Sequence, residues 1–322
     1  MIDISVVSDS VDRINYRAVL GVPPVYPLGN MSLCMVEDGV FLVAVRQFNY
    51  RITPDFDYVR RNGYHSGRDY HFILADKDMK FLRRLSRKIV NVNKFEDLRL
   101  MKLGDSIQMS GTDDTNGWSR IKPVYVGAEL DLRRGFIAAS RTVVFPNNKE
   151  KNYVPMEGRP GLFISDMLDG SLMIADVSTP RCKEEMPCRG LIPMRGSTPL
   201  YKYGGRLVGI THHRDKCTFT NRLVSFSEDL SECRVSDPFT AFAKISPINF
   251  TCGMYISPEG ECMVPFTVND CQTFLVRFNW DRMAKTLNMK ERHDEREGQG
   301  QDQEEAPQER RTGPAQNPDH RE

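Results

Sequence analysis

From about residue 31 onward, apolar residues come in short runs broken by Gly, Asp and Pro, the punctuation of strands and turns. Residues 32–45 hold two apolar runs around Glu37-Asp38-Gly39, and a Gly that supplies positive φ between such runs is a strong hairpin signal. The unit returns at residues 98–110 with Gly104-Asp105, at 161–175 with Asp169-Gly170, at 197–211 with Gly204-Gly205, and at 252–268 with Pro258-Glu259-Gly260. Five hairpins of one type, spaced very roughly fifty residues apart, predict a repeat. Residues 70–74, 121–126, 137–144, 222–226 and 273–278 supply further strand candidates. Four strands per unit predict an all-β fold, a five-bladed β-propeller. Two packed β-sandwiches are the alternative, with less regular recurrence of the hairpin.

Helical spacing is scarce. Residues 279–287 place Trp280, Met283 and Leu287 on one face and predict a short C-terminal helix. Residues 291–322 are Glu, Gln, Arg, Asp, Pro and Gly almost throughout, too polar to offset ordering entropy by burial, and predict a disordered charged tail after a domain at 1–290.

Bulk properties narrow the function classes. Acids and bases nearly cancel over 322 residues, at net charge +1, so nothing calls for nucleic acid or a membrane surface. No apolar run is long enough for a transmembrane helix, and the N-terminus lacks a signal core, which predicts a cytoplasmic protein. None of the eight cysteines forms a C-x-x-C pair, so free thiols are expected, with a Cys182–Cys188 bridge as the competitor.

Chemistry concentrates where the hairpins begin and end. Glu96, Asp97 and Arg99 stand at the mouth of one hairpin, a set that can hold a polyhydroxylated or anionic ligand. Comparable places elsewhere carry Arg46, Asn49, Tyr50 and Arg51; Glu150, Lys151, Asn152 and Tyr153; Arg195 and Ser197; His212, His213 and Arg214; and Asn269 with Asp270. Taken singly, each is an ordinary surface ion pair or turn cap. A propeller, however, gathers such positions around one central depression. His212 and His213 are strand neighbours that point to opposite faces, so one at most faces a pocket and no metal site is expected.

With these residues in place the sequence resembles the five-bladed propeller glycosidases and phosphorylases of the β-mannoside type, glycoside hydrolase family 130 and its relatives, in a divergent branch found beside glycosyltransferases. Leu42-Val43-Ala44-Val45-Arg46 matches a hairpin ending in Arg, and Glu96-Asp97-Leu98-Arg99 matches a Glu-Asp-Pro-Arg element without its proline. Residues 195–212 match a Gly/Ser-Pro hairpin ending in His, and residues 264–270 match a closing Gly-x-x-Asp segment in which Thr267 replaces the glycine.

The resemblance implies an inverting glycoside hydrolase or phosphorylase acting on a mannoside-like glycan, with Asp97 as general acid. Arg46, Lys151 and His212 would bind inorganic phosphate as co-substrate, with no other cofactor. In a hydrolase, Asp270 or Glu150 would activate water instead. Asn49, Tyr50, Arg51, Glu96, Arg99, Asn152, Arg195 and Ser197 complete the implied binding set. The rival readings are a catalytically silent glycan-binding propeller that assists a glycosyltransferase, and a protein-interaction scaffold.

Overall fold

The structure is a computed structural model that describes residues 1–23, 26–52, 58–60, 69–88, 95–113, 121–146, 151–215 and 218–291. Glu150 and residues 292–322 of the expected tail lie outside these residues, as does the side chain of Arg51, while Glu291, expected to open the tail, instead ends a short strand paired with Arg234.

Each of the five hairpins forms at its expected turn, and each lies in a separate sheet. The first sheet orders Leu28–Glu37, Val40–Gln47, Asp69–Asp76 and Phe81–Arg84. In the second, Phe95–Leu103, Ser106–Asp113, Lys122–Asp131 and Phe136–Val144 run antiparallel, and Ser86–Lys88 adds a parallel edge. Val154–Pro155, Leu162–Met167, Ser171–Asp176 and Lys183–Pro187 make the third. The fourth is built on Arg206–Asp215 and Thr218–Ser227, and the fifth on Glu261–Val268 and Gln272–Asn279. Gly204 and Gly205 both take positive φ, 56° and 71°, as the tight turn between Tyr203 and Arg206 demands.

Apolar clusters fill the gaps between successive sheets. Leu42 and Phe72 meet Leu100 and Val126 between the first two sheets, and Phe145 meets Phe163 between the second and third. Ile164 meets Leu207 and Val224, then Val208 and Leu223 meet Val264 and Val276. Finally Leu33 and Val43 pack on Met263 and Leu275, so the last sheet closes on the first. This is a propeller-like arrangement of small sheets. The expectation of equal four-stranded blades is corrected: only the first and third sheets have four strands, while the second and fifth have five and the fourth has eight. The fourth grows by recruiting short segments, including Ile2–Asp3 and Lys290–Glu291.

The N-terminal strand Ser10–Ile14 had no sequence signal, yet it pairs antiparallel with Gln272–Asn279 and so ties the start of the described chain to its end. The predicted helix forms over Trp280–Thr286, capped by Asn279 Oδ1, which accepts from the Arg282 amide at 3.2 Å, and buries Trp280, Met283 and Leu287. No helix among the described residues is long and apolar enough to cross a membrane. The seven described cysteines are free, Cys182 exposed and Cys188 buried, so their bridge does not form.

Gly253 marks where the fifth sheet's approach chain touches the first. A Cβ there would stand 2.7 Å from Ser32 Cα and 2.8 Å from Met31 O, both main-chain atoms that cannot swing aside. Gly253→Ala is therefore expected to destabilise the protein by about 1–3 kcal/mol, the usual cost of overpacking. It should appear as a lower denaturant midpoint at unchanged m-value.

Candidate functional site

Two strand starts carry the same irregularity. The first strand of the first sheet slips register between Gly29 and Ser32, and that of the second between Glu96 and Arg99. A β-bulge bends its strand and re-aims a side chain. At these bulges Asn30 (φ 41°) and Asp97 (φ 51°) take the left-handed conformation, which Asn and Asp tolerate better than most residues. Their side chains meet: Asn30 Nδ2 donates to Asp97 Oδ1 at 2.9 Å. Asn152 (φ 71°) and Asp270 (φ 50°) share the left-handed conformation, and all four line one pocket.

The empty space of the pocket, its open mouth included, is about 630 Å³. One side is acidic. Arg46 Nη2 donates to Glu96 Oε1 at 2.9 Å, and its Nη1 lies 3.6 Å from Asp97 Oδ1, all three residues being buried. Beside them Tyr50 donates to Asp270 Oδ2 at 2.8 Å. Burial, above all, pushes the Asp270 carboxyl up to about 6; Asp97 and Glu96 add to the rise, while the Tyr50 bond and Arg46 oppose it.

The other side is basic and aromatic. Lys151, Arg195, Arg214 and His212 line it together with Phe219 and Phe250. His212 is buried, and desolvation, with Arg99, Lys151, Arg195 and His213 around it, holds its imidazole well below the ordinary histidine range. Its uncharged form is thereby favoured. His213 is exposed on the opposite face, as strand geometry requires, and no metal-holding group of His, Cys, Asp and Glu occurs among the described residues.

Not every expected residue reaches the cavity. Arg99 is fully buried and spends its guanidinium on oxygens of the fold: Nε on Ser197 O at 2.6 Å, Nη1 on Asp97 O at 2.9 Å, Nη2 on Gly196 O at 3.1 Å and on Asn152 Oδ1 at 3.2 Å. Ser197 is also fully buried, its Oγ 2.7 Å from His212 Nδ1. Asn49 is buried away from the pocket lining, and Asn269 Oδ1 accepts from Ser246 Oγ at 2.5 Å. These are supporting positions.

Comparison with protein-family models and with curated protein sequences finds no match. Solved structures do match. A β-1,2-mannobiose phosphorylase from Listeria innocua, in complex with β-1,2-mannobiose, superposes with a TM-score of 0.55 at 11% identity, covering 87% of this chain and 99% of that one. MPT-4, a mannose phosphorylase from Leishmania mexicana in complex with phosphate ion, gives 0.52 at 12% identity over 81% and 86%. A thermostable family-43 glycoside hydrolase gives 0.50 at 10% identity over 79% and 89%. The chain has the fold of the propeller glycoside phosphorylases and hydrolases.

Within that propeller fold, sequence reasoning missed Asn30, Phe219, Ile248 and Phe250. Asn30 had one legible signal: a Gly-Asn pair directly before the first hairpin, at the place where the second hairpin has Glu96-Asp97. The apolar wall had none, because Phe219 and Phe250 belong to different sheets and meet only through folding.

Asp270 yields a test of the acidic side. Its carboxyl holds a proton more tightly when folded than at its ordinary value of 3.8, so ionising it lowers stability as pH rises from about 4 to about 6. Asp270→Asn keeps an acceptor for Tyr50 without the charge. That variant should exceed the wild type in stability by about 1–3 kcal/mol above pH 6, with the gain fading toward pH 4. Denaturant unfolding at both pH values checks it, and a difference independent of pH would contradict the assignment.

Proposed function

We propose that this protein is an inverting carbohydrate-active enzyme that cleaves a mannoside-like glycan by phosphorolysis. The observation that carries this reading is that the lining of one pocket divides into carboxylates (Glu96, Asp97, Asp270), with Arg46 bonded to Glu96, and further cationic or imidazole groups (Lys151, Arg195, Arg214, His212). Inverting phosphorolysis needs that division, because the leaving oxygen must receive a proton on one face of the sugar while an anion attacks the anomeric carbon from the other. The likeness in fold to structures holding β-1,2-mannobiose and phosphate ion supports the choice of ligands.

In this scheme Asp97 is the general acid. Asn30 and Arg46 both lie against Oδ1, which leaves Oδ2 to carry the proton. That proton passes to the glycosidic oxygen, directly or through a sugar hydroxyl, as the bond from that oxygen to the anomeric carbon breaks. A phosphate oxygen forms the new bond on the opposite face, giving a sugar 1-phosphate of inverted configuration and a glycan shortened by one residue. Lys151, Arg195 and Arg214 balance the phosphate charge. Glu96, bonded to Arg46, orders the acidic side. Free cysteines favour a reducing compartment such as the cytoplasm.

The test is release of sugar 1-phosphate from a panel of manno-oligosaccharides with and without inorganic phosphate. Turnover should require phosphate, and Asp97→Asn should lower kcat by roughly 100- to 10,000-fold while leaving glycan affinity within a few-fold. Glycan binding with no turnover in the wild type would instead favour a silent propeller that assists a glycosyltransferase. Hydrolysis without phosphate would move the role of Asp270 to activating water.

A further inference from the structure

Ser197 was expected to touch the ligand, but its side chain is fully buried and lies outside the pocket lining. Its surroundings fix it closely. The Ser197 carbonyl accepts from Arg99 Nε at 2.6 Å, its amide donates to Ile210 O at 3.2 Å, and Oγ lies 2.7 Å from His212 Nδ1. The imidazole is equally constrained. Phe219 stacks on it at 5.7 Å and 29°, and Phe250 meets it edge-on at 5.3 Å and 89°. With Nδ1 turned toward Ser197, the nitrogen left to the pocket is Nε2.

A neutral imidazole carries one N–H, so two arrangements fit the contact with Ser197. In one, Nδ1–H donates to Oγ, and Nε2 offers a lone pair to a pocket edge shared with Lys151, Arg195 and Arg214. In the other, the Ser197 hydroxyl donates to Nδ1, and Nε2–H becomes a donor. An anion drawn to those cations is repelled by a lone pair and bound by an N–H.

We infer that Ser197 is a positioning residue: its hydroxyl donates to Nδ1 and fixes His212 as the neutral Nε2–H tautomer, which gives the pocket an uncharged donor for the anionic co-substrate. The inference rests on the phosphorolysis reading for the identity of the anion. An uncharged donor has a specific use here. Three cationic side chains already supply attraction but little direction, whereas a ring locked between two aromatics supplies one N–H along one line. Arg99 contributes twice, holding the Ser197 carbonyl and opposing protonation of His212.

Nitrogen-15 NMR of the full chain with saturating inorganic phosphate reads the tautomer directly. The expected spectrum shows His212 with a proton bonded to Nε2 and none on Nδ1. Ser197→Ala should weaken phosphate binding about tenfold in calorimetry, the scale of one lost hydrogen bond that leaves a buried group unmatched, with affinity for neutral glycan unchanged. Ser197→Cys, whose thiol is a poorer donor, should fall between the two. A proton on Nδ1, no phosphate binding by the wild type, or equal phosphate affinity in wild type and Ser197→Ala would each overturn the inference. Phosphate binding with the expected tautomer but no glycan turnover would sink the phosphorolysis reading alone.

Discussion

The site stands on one buried cation. Arg99 is entirely enclosed, and its four hydrogen bonds all end on carbonyl oxygens, three from the main chain and one from the Asn152 amide. Burying a guanidinium costs several kcal/mol, and hydrogen bonds to otherwise unmatched carbonyls offset part of that. Burial accordingly pushes its pKa down from the ordinary value. What the arrangement secures is geometry. One planar fork reaches the Asp97 bulge in the second sheet, Asn152 at the edge of the third, and Gly196-Ser197 in the fourth. Three sheets are thereby referenced to a single group directly behind the pocket.

Around that group the chain repeats one local device. Asn30, Asp97, Asn152 and Asp270 all adopt left-handed backbone, and all face the same cavity. A residue in that region is strained relative to a regular strand and persists only where its surroundings over-determine it. Here the surroundings are visible: Asn30 is tied to Asp97 through its side chain and to Thr267 Oγ1 through its amide at 2.6 Å, and Arg99 holds the Asp97 carbonyl. Strain and bonding share a cause, since bending the strand start inward aims the short polar side chain at the pocket.

How much of this was legible follows from the range of each signal. The five hairpins were readable because a glycine turn between apolar runs is a local event, and all five formed where expected. The helix after Asn279 was readable for the same reason. The unequal sheets were not, because Ile2–Asp3, Ser10–Ile14 and Lys290–Glu291 are too short or too polar to announce a strand until a partner edge exists. For the site, charge could be read and direction could not. Arg46, Glu96, Asp97, Lys151, Arg195, His212 and Asp270 were singled out, and one pocket gathers them. Arg99 and Ser197 were singled out on the same grounds and face inward, because residue type cannot reveal which side of a bulge a side chain takes.

The two charged sides of the pocket constrain each other. Glu96 and Asp97 are adjacent acids in a buried setting, where like charges at close range are costly. Arg46 lies against both, 2.9 Å from Glu96 Oε1 and 3.6 Å from Asp97 Oδ1, with its guanidinium 4.8 Å from the centre of the Phe48 ring. Arg46, which the resemblance assigned to phosphate, lines the pocket with its guanidinium against Glu96 and Asp97. Asp270, with no cation bonded to it among the described residues, takes up a proton more readily because it is buried, and Tyr50 donates to it. Opposite, four cationic or imidazole groups crowd one wall, and His212 eases the crowding by favouring its uncharged form. In each half burial shifts one titratable group toward its uncharged form, Asp270 among the carboxylates and His212 among the cations. A pocket balanced in that way sets groups shifted toward their uncharged forms beside charged ones within a single cavity.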